Sequence, residues 1–344
     1  MLTAALLVGL VACSSDGDPV AESSIGSSDS VATTATVPDT TVPDTADTAT
    51  TDIADSVTTD AAIADPVAAE SVQLTDEPDT TFASLDASAD GSTIAFDNER
   101  GVGVLTVESG DISYVVENDD TTIATKPTYL GDGRLAVLIA EPGDVGGTIN
   151  IVDESGALQP LDLPVTVVDI EGGTNDTIVY VGLSEGARGL GSVQADAASP
   201  VPHTITEGLN DQDPTVTPDG TQLAFIRTDS DDAGNEVNTL ITTDVAGGLE
   251  FPITASPRGG VLRAPSWSPD GGRIVVTMTA TGSDGVGTEQ VFVIDPAVGA
   301  IQVTDGDGDK RDAVWISESE IAYRIVTDDQ RNGQTFRIAA PAAG

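Results

Sequence analysis

Alternating aspartates form the clearest chemical pattern in this chain. Within "TDGDGDKRDA", Asp305, Asp307 and Asp309 stand at every second position. Carboxylates with this spacing begin the loops that bind Ca²⁺ through oxygen atoms. An EF-hand loop counted from Asp305 would need glycine at its sixth position and glutamate at its twelfth, but Lys310 and Ile316 stand there. The pattern therefore predicts either a weak Ca²⁺ or Mg²⁺ site or a solvated acidic loop without an ion.

Other kinds of catalytic chemistry have less support. A serine hydrolase needs a base beside its nucleophile, normally a histidine. The single histidine, His203, lies at the start of a predicted outer strand, where we expect a surface residue. Zinc and other transition-metal sites usually draw on cysteine and histidine, and the chain has one of each. With no Walker-type or dinucleotide-binding glycine loop either, the sequence predicts neither a catalytic residue nor a required cofactor.

The balance of charge narrows the class of partner. The chain carries 57 acidic and 13 basic residues, a formal net charge of −44, and residues 14–70 supply only 12 of the acids. Nucleic-acid binding needs a basic footprint, so we expect no nucleic-acid partner. A basic protein or peptide, or a divalent ion, suits this surface better. The alternative is an acidity that serves only solubility in a salty environment.

The N-terminus has the pattern of an export signal over residues 1–12. Leu2 to Ala12 form an apolar run that is too short to span a bilayer and that leads into Leu10-Val11-Ala12-Cys13. This tetrapeptide resembles the lipobox of bacterial lipoproteins, which implies cleavage before Cys13 and acylation of its thiol, although no Lys or Arg precedes the run. The alternative is an ordinary secretory signal. We expect a lipid-anchored protein of the cell envelope, on the outer face of the cytoplasmic membrane or in the periplasm.

A low-complexity stretch follows, from Cys13 to residue 70. Residues 14–70 contain no Lys, Arg or aromatic side chain and repeat phrases such as "VPDT". Such a segment cannot bury enough apolar surface to offset the entropy lost on ordering, so we predict a disordered acidic linker. The remaining residues, 71–344, suffice for one sizeable core.

Six related phrases divide residues 71–344 into units. In each, a short strand ends at a turn, usually rich in Asp or Gly, and an apolar run follows. The first apolar residues after the turns are separated by 41, 43, 45, 51 and 47 residues, a period typical of propeller blades. The phrases are "LDASADGSTIAF" (85–96), "PTYLGDGRLAV" (127–137), "VDIEGGTNDTIVY" (168–180), "PTVTPDGTQLAF" (214–225), "PSWSPDGGRIVV" (265–276) and "AVWISESEIAY" (313–323), with first apolar residues Ile94, Leu135, Ile178, Leu223, Ile274 and Ile321.

The strand content of the units predicts the fold class. Each unit holds four short runs rich in Val, Ile and Thr, without a sustained helical period, which predicts an all-β, six-bladed β-propeller of four-stranded antiparallel blades. The sixth unit ends after three strands, whereas "SVQLTDEPD" (71–79) matches the fourth-strand phrase "AIQVTDGDGD" (300–309). We therefore predict that Val72–Thr75 pairs alongside Phe336–Ala339 and closes the ring.

The fourth and fifth phrases, "PTVTPDGTQLAF" and "PSWSPDGGRIVV", resemble the PD40 or TolB-type WD40-like repeat, whose pattern is roughly Pro-x-Trp-Ser-Pro-Asp-Gly-x-x-Ile-Ala-Phe. The resemblance covers residues 71–344; the second, third and sixth units match it poorly. TolB itself carries a further α/β domain ahead of its propeller, for which the linker leaves no room. The resemblance is therefore to the propeller module alone and implies no Tol–Pal role.

The resemblance implies structural roles for two conspicuous features. The turn Ser268-Pro269-Asp270-Gly271 joins two strands of one blade and is not a reactive group. Trp267 and Trp315 occupy equivalent blade positions. We expect them to pack in the core or the channel wall rather than to stack on a ligand.

Loops at one end of the propeller form the predicted binding face. Connections between blades share this end with the loops between second and third strands, and rigid scaffolds usually carry their binding residues on such loops. The acids gathered there predict a negatively charged mouth for a basic peptide, a cationic protein patch or divalent ions. The candidate residues are Asp211, Asp213, Asp231, Asp232, Arg258 and Arg263.

Three functions fit a lipid-anchored propeller with an acidic mouth. We favour a non-catalytic protein-interaction or ligand-sensing module whose partner is an envelope protein or peptide. The alternative from another class is an enzyme with a metal-assisted, hydrolase- or lactonase-like site in the channel. Such a site would need several acids that converge on the propeller axis. We expect the first strands of the units to place few acidic side chains toward that axis. The third possibility is a purely structural envelope protein.

Overall fold

The computed structural model describes residues 70–77, 80–184, 186–196, 203–206, 210–281, 287–326 and 333–343. The predicted signal peptide, the predicted acylation site Cys13 and the predicted linker to residue 69 lie outside them. Across these ranges the chain forms strands and turns, and it contains no helix long and apolar enough to cross a membrane.

The described residues form six four-stranded antiparallel sheets, each of which is one blade. This arrangement confirms the predicted six-bladed β-propeller. In blades 1 to 5 the four strands follow one another along the chain, whereas blade 6 combines three C-terminal strands with the first strand of the propeller. The strands are β2 (Ala83–Ala87), β3 (Thr93–Asn98), β4 (Gly101–Thr106) and β5 (Ile112–Glu117) in blade 1; β6 (Ile123–Tyr129), β7 (Leu135–Ala140), β8 (Thr148–Val152) and β9 (Leu158–Leu161) in blade 2; β10 (Thr166–Gly172), β11 (Thr177–Ser184), β12 (Ala187–Gln194) and β13 (His203–Thr204) in blade 3; β14 (Asp211–Val216), β15 (Gln222–Ser230), β16 (Glu236–Asp244) and β17 (Phe251–Ala255) in blade 4; β18 (Leu262–Trp267), β19 (Ile274–Thr281), β20 (Gly287–Asp295) and β21 (Gly299–Gln302) in blade 5; and β22 (Asp309–Ser317), β23 (Glu320–Val326), β24 (Gly333–Ala339) and β1 (Val72–Gln73) in blade 6.

The turn between the first and second strands is held by its own polar groups. In blade 5 the amides of Ser268 and Gly271 donate to the carbonyls of Arg273 and Ser268, each at 2.8 Å. The Asp270 carboxylate accepts the Gly272 amide at 2.9 Å. Gly271 has a φ of +70°, a left-handed conformation that favours glycine. The turn is therefore structural, as predicted.

The predicted repeat register is confirmed in all six blades. Each first apolar residue after the turn pairs with a residue at or near the end of the first strand, which aligns the six units. The pairs are Ala87–Ile94, Tyr129–Leu135, Gly172–Ile178, Val216–Leu223, Trp267–Ile274 and Trp315–Ile321.

The hydrophobic core is divided among the interfaces between blades. Each of the six clusters found in the described part of the chain combines buried side chains from two adjacent blades. One of them joins Phe96 of blade 1 to Val314 and Ala322 of blade 6. Because a blade buries its faces only against its neighbours, the stability of each blade depends on the closed ring.

The ring closes through β1, which pairs with β24 of the last blade. Val72 lies opposite Arg337, and Gln73 lies opposite Phe336. Beyond β1, the Leu74 amide donates to the carbonyl of Thr335 at 2.8 Å. The predicted pairing of Val72–Thr75 with the last blade is thereby confirmed.

Thr75 fastens this closure, and its replacement tests it. Its side chain is 3% exposed; the hydroxyl accepts the Thr335 amide at 2.9 Å and donates to Gln334 Oε1 at 3.0 Å. Thr75→Val leaves that amide without its acceptor, so we expect the free energy of unfolding, measured by urea denaturation, to fall by about 2 kcal/mol. Val72→Ala, at a 50% exposed position, is the control and should change it by less than about 0.5 kcal/mol. Equal stability of Thr75→Val and the wild type would contradict this role.

Candidate functional site

The first strands of the six blades contact one another around the axis, and each is interrupted by a bulge. In five blades two consecutive residues have no partner on the second strand, and the first of them has a φ between 47° and 51°. This left-handed conformation is uncommon outside glycine. Its recurrence at one position per blade makes it a property of the fold. The left-handed residues are Ser84, Lys126, Asp213, Ala264 and Asp312.

Two rings of side chains follow from this geometry. The upper tier consists of the five left-handed residues and Asp169, which follows a shorter bulge in blade 3, and it surrounds a cavity of about 240 Å³, the upper cavity. The lower tier lies two residues farther along each first strand. Its members are Asp86, Thr128, Glu171, Thr215, Ser266 and Val314.

Acids outnumber bases around the upper cavity. Its lining includes five carboxylates but only two cations, Lys126 and Arg324. Lys126 Nζ lies 3.1 Å from Asp169 Oδ1, and Arg324 forms an ion pair with Asp312. The charge of Asp169, with smaller contributions from Asp213 and Asp97, raises the pKa of Lys126, so its ammonium stays charged. The carboxylates are Asp86, Asp169, Glu171, Asp213 and Asp312.

Hydrogen bonds between neighbouring blades fix the acids of the lower tier. Asp86 Oδ2 of blade 1 accepts the Tyr129 amide of blade 2 at 2.6 Å and the Thr128 hydroxyl at 3.0 Å. The Thr128 hydroxyl in turn accepts the Gly172 amide of blade 3 at 2.7 Å. Glu171 Oε1 of blade 3 accepts the Thr215 hydroxyl of blade 4 at 3.2 Å. The lower tier is therefore a rigid set of acceptors that spans four blades.

Burial makes the lower-tier acids hold their protons more strongly than usual. It raises the pKa of Asp86 to about 6, against the lowering effect of the bonds from Tyr129 and Thr128. It also raises the pKa of Glu171 well above its usual value, and the charges of Asp86 and Asp169 act in the same direction. Perturbed acids that line a cavity are typical of functional sites.

A second cavity of about 200 Å³ lies below the lower tier, and we call it the lower cavity. Asp86 and Glu171 line its inner end as well as the upper cavity. Trp267 and Trp315 stand in its wall, which confirms their predicted place in the core or channel wall. Trp315 is 4% exposed, and the Arg273 guanidinium lies 4.7 Å from the centre of its ring.

The expectation that the first strands offer few inward acids is wrong. Strict alternation of side chains fails at the bulge, whose first, left-handed residue lines the channel. In three blades the residue after the left-handed position is proline, namely Pro127, Pro214 and Pro265. Proline lacks an N–H group, which costs nothing at an unpaired bulge position. The first proline of the repeat pattern is therefore a signal in the sequence for a channel-facing residue just before it.

The predicted binding face is not one surface, and Asp211 and Asp213 do not belong to it. Asp211 is fully buried, and both of its oxygens accept hydrogen bonds from Arg227, at 2.7 and 3.0 Å. Arg227 also bonds Glu250. Asp211 therefore stabilises blade 4, while Asp213 belongs to the upper tier, where its carboxylate accepts the Ala264 amide at 3.0 Å.

The other predicted face residues divide into exposed and paired groups. Asp231 accepts the amides of Ala233 and Asn235 within its own loop and forms an ion pair of 3.1 Å with Arg258, which is 76% exposed. Asp232 is exposed. Arg263 forms an ion pair with Glu289 and is therefore committed to blade 5.

In the loop of the predicted Ca²⁺ site, Lys310 forms hydrogen bonds with backbone carbonyl oxygens. Its ammonium, on a residue that is 4% exposed, donates to the carbonyls of Gly306, Asp307 and Gly308 at 3.0, 2.6 and 2.9 Å. Asp309 accepts Arg311 at 2.7 Å. Among the described residues, no group of three or more His, Cys, Asp or Glu side chains is placed to hold a metal ion. The site at Asp305, Asp307 and Asp309 remains a prediction that these contacts do not favour.

Residues suited to acyl transfer lie away from the channel. His203 is exposed on the outermost strand of blade 3, where Nε2 lies 3.2 Å from the Ala246 carbonyl oxygen. A Gly-x-Ser-x-Gly pentapeptide does occur at residues 182–186. Its Ser184 is exposed and pairs with Ala187 at the hairpin between β11 and β12, whereas a nucleophile elbow needs a strand-to-helix turn.

Solved structures share this architecture, whereas no protein-family model and no curated protein matches the sequence. A structure described as TolB from Agrobacterium tumefaciens is 14% identical with a TM-score of 0.50, over 67% of this chain and 95% of that one. The fold is that of a TolB-like β-propeller. The calcium-binding protein regucalcin from A. tumefaciens is 15% identical with a TM-score of 0.54, over 80% of this chain and 96% of that one. Oligogalacturonate lyase from Vibrio parahaemolyticus is 12% identical with a TM-score of 0.53, over 78% of this chain and 80% of that one. At these identities the likeness is one of fold alone.

The raised pKa of Asp86 predicts a pH dependence of stability. As pH falls from 7 to 5, the folded state takes up a proton at Asp86 before the unfolded state does, so acidification should stabilise the fold. The contribution of this one group over that range is about 1 kcal/mol. Urea denaturation at several pH values measures the free energy of unfolding. We expect Asp86→Asn to gain about 1 kcal/mol less than the wild type between pH 7 and pH 5. Asp232→Asn, at an exposed position, should gain as much as the wild type. Identical pH slopes for Asp86→Asn and the wild type would contradict this assignment.

Proposed function

We propose that this chain is a non-catalytic binding module of the cell envelope that recognises a positively charged group in its axial channel. The observation that carries the proposal is the imbalance around the upper cavity, where five carboxylates meet two cations. A concave pocket with convergent polar groups of perturbed pKa is the usual form of a ligand site. The ligand is a basic side chain of an envelope protein or peptide, or a small organic cation.

Electrostatics favours a cation over any other ligand here. Burial raises the pKa of Asp86 and of Glu171, so the ionised forms of both acids are costly in the free protein, and the charge of Asp86 adds to this cost at Glu171. Protonation relieves this cost. A bound cation relieves it in the same way and allows both acids to ionise. Binding should therefore release protons when it begins from the protonated acids.

The contacts of the channel acids support binding rather than acid–base catalysis. Asp86 and Glu171 accept hydrogen bonds from neighbouring blades, and Asp169 and Asp312 are paired with Lys126 and Arg324. Groups held this way are rigid acceptors and counter-ions. Rigid acceptors lower the entropy cost of orienting a ligand.

The runner-up is an enzyme with a metal-assisted hydrolase- or lactonase-like site in the channel. The convergence of carboxylates on the axis favours it more than the sequence did. Two observations weigh against it: Lys126 holds its ammonium against Asp169, and the part of the chain that the structure describes has no group of three His, Cys, Asp or Glu side chains placed to hold a metal ion.

Calorimetry with simple cations tests the binding proposal. We expect N-acetyl-lysinamide or putrescine to bind the wild type. Asp86→Asn combined with Glu171→Gln should weaken that binding about tenfold or more, because it removes the unpaired charges of the lower tier. The matched control, Asp120→Asn with Asp232→Asn, changes the net charge equally at two exposed positions and should alter affinity less than about twofold.

Each other outcome has a definite meaning. Equal losses in both double variants would indicate attraction to overall charge and would overturn the channel site. The absence of binding by either amine would leave the purely structural alternative. Preferential binding of Ca²⁺ that the lower-tier variant abolishes would favour the metal-assisted enzyme.

Attachment to the envelope depends on Cys13, the single cysteine of the chain. We expect a bacterial host that acylates lipoproteins to attach radiolabelled fatty acid to the wild type and the protein to enter the detergent phase on Triton X-114 partition. Cys13→Ser removes the only thiol and should abolish both. Ser15→Ala is the control and should retain both. Label that persists on Cys13→Ser, or is absent from the wild type, would contradict the lipid anchor.

A further inference from the structure

The two cavities of the channel differ in charge compensation. Both cations, Lys126 and Arg324, line the upper cavity. The lining of the lower cavity includes Asp86 and Glu171 but no Lys, Arg or His. The same two acids therefore face compensated surroundings on one side and uncompensated surroundings on the other.

The walls of the lower cavity combine polar groups with a cluster of aromatic and aliphatic side chains. Trp267 and Trp315 stand in them with Tyr129, Val216 and Leu130. The volume of about 200 Å³ is large enough for a small organic molecule. A pocket with such a cluster and with acids at its inner end is complementary to a molecule that has one cationic end and an apolar body.

We propose that the lower cavity binds a small amphipathic amine, with its ammonium on Asp86 and Glu171 and its apolar or aromatic body against Trp267 and Trp315. This inference rests on the proposed function. It adds which end of the channel binds the ligand and the chemical class to which the ligand belongs. The upper cavity is less suitable, because a ligand there meets the positive charges of Lys126 and Arg324.

The acceptors at the inner end suit an ammonium better than a divalent ion. Asp86 Oδ2 already accepts two hydrogen bonds, and Glu171 Oε1 accepts one from Thr215. Ca²⁺ needs six to eight oxygen ligands, whereas the two carboxylates have four oxygen atoms between them. An ammonium has three N–H donors, which two fixed carboxylates satisfy in large part.

The tryptophans provide the readout. The chain contains two tryptophans, and both line the lower cavity, so their fluorescence reports occupancy directly. We expect phenethylamine to change the emission of the full chain saturably, with a Kd below about 1 mM. The neutral isostere 2-phenylethanol should bind at least about tenfold more weakly, because it lacks the charge that the acids recognise.

Variants of equal charge change locate the ammonium. Asp86→Asn keeps an acceptor for the Tyr129 amide and should raise the Kd for phenethylamine about tenfold or more. Asp213→Asn should raise it clearly less than Asp86→Asn does, because Asp213 lines only the upper cavity. Circular dichroism establishes that both variants are folded, and the comparison with 2-phenylethanol on the wild type needs no variant.

Three results would overturn the inference: no change in tryptophan emission, equal binding of 2-phenylethanol, or a loss in Asp213→Asn as large as in Asp86→Asn. Binding of putrescine in calorimetry that depends on Asp213 and leaves the tryptophans unaffected would remove this inference and keep the proposed function. The absence of calorimetric binding by any cation would remove both.

Discussion

Hydrogen bonds between β1 and β24 hold the ring closed, and the channel depends on that closure. β1 has only two strand residues, but the buried Thr75 and the side chain of Gln334 extend the contact beyond it. The core is divided among blade interfaces, so the interface between blades 6 and 1 forms only when both ends of the propeller meet. The axial cavities exist because six first strands converge, which requires the same event.

Placing acids at the axis costs free energy that the fold offsets in two ways. In the upper tier Lys126 and Arg324 supply counter-charges. In the lower tier the acids receive amide and hydroxyl hydrogen bonds from the next blade, and their pKa values rise because those bonds do not replace the lost hydration. Lys126 and Arg324 thus pair with two of the three acids of the upper tier, whereas no Lys or Arg forms an ion pair with Asp86 or Glu171 in the described residues. This difference is the physical basis for assigning recognition to the lower end.

The repeat could be predicted from the sequence because turns and strands are local. The spacing of six related turn phrases, two of which contain Pro-Asp-Gly, predicted the register of all six blades. The match of "SVQLTDEPD" to a fourth-strand phrase predicted the pairing of Val72 with the last blade. The channel could not be predicted in the same way, because a bulge breaks the alternation on which inward positions were judged. Asp213 was therefore assigned to a surface loop. Asp211 was misjudged because its partner, Arg227, lies on the next strand and a sequence does not reveal which acids are paired.

Acids on the surface and acids in the channel act over different ranges. Exposed carboxylates such as Asp120 and Asp232 attract any cation, and salt screens them beyond about 10 Å. They raise the concentration of cations near the protein without choosing among them. Selection needs acceptors whose positions do not adjust to the ligand, and Asp86 and Glu171 meet that condition because neighbouring blades hold them. Under the proposed function, the net charge of −44 accounts for the attraction of basic partners, and the hydrogen-bonded lower tier accounts for the preference for one amine over another.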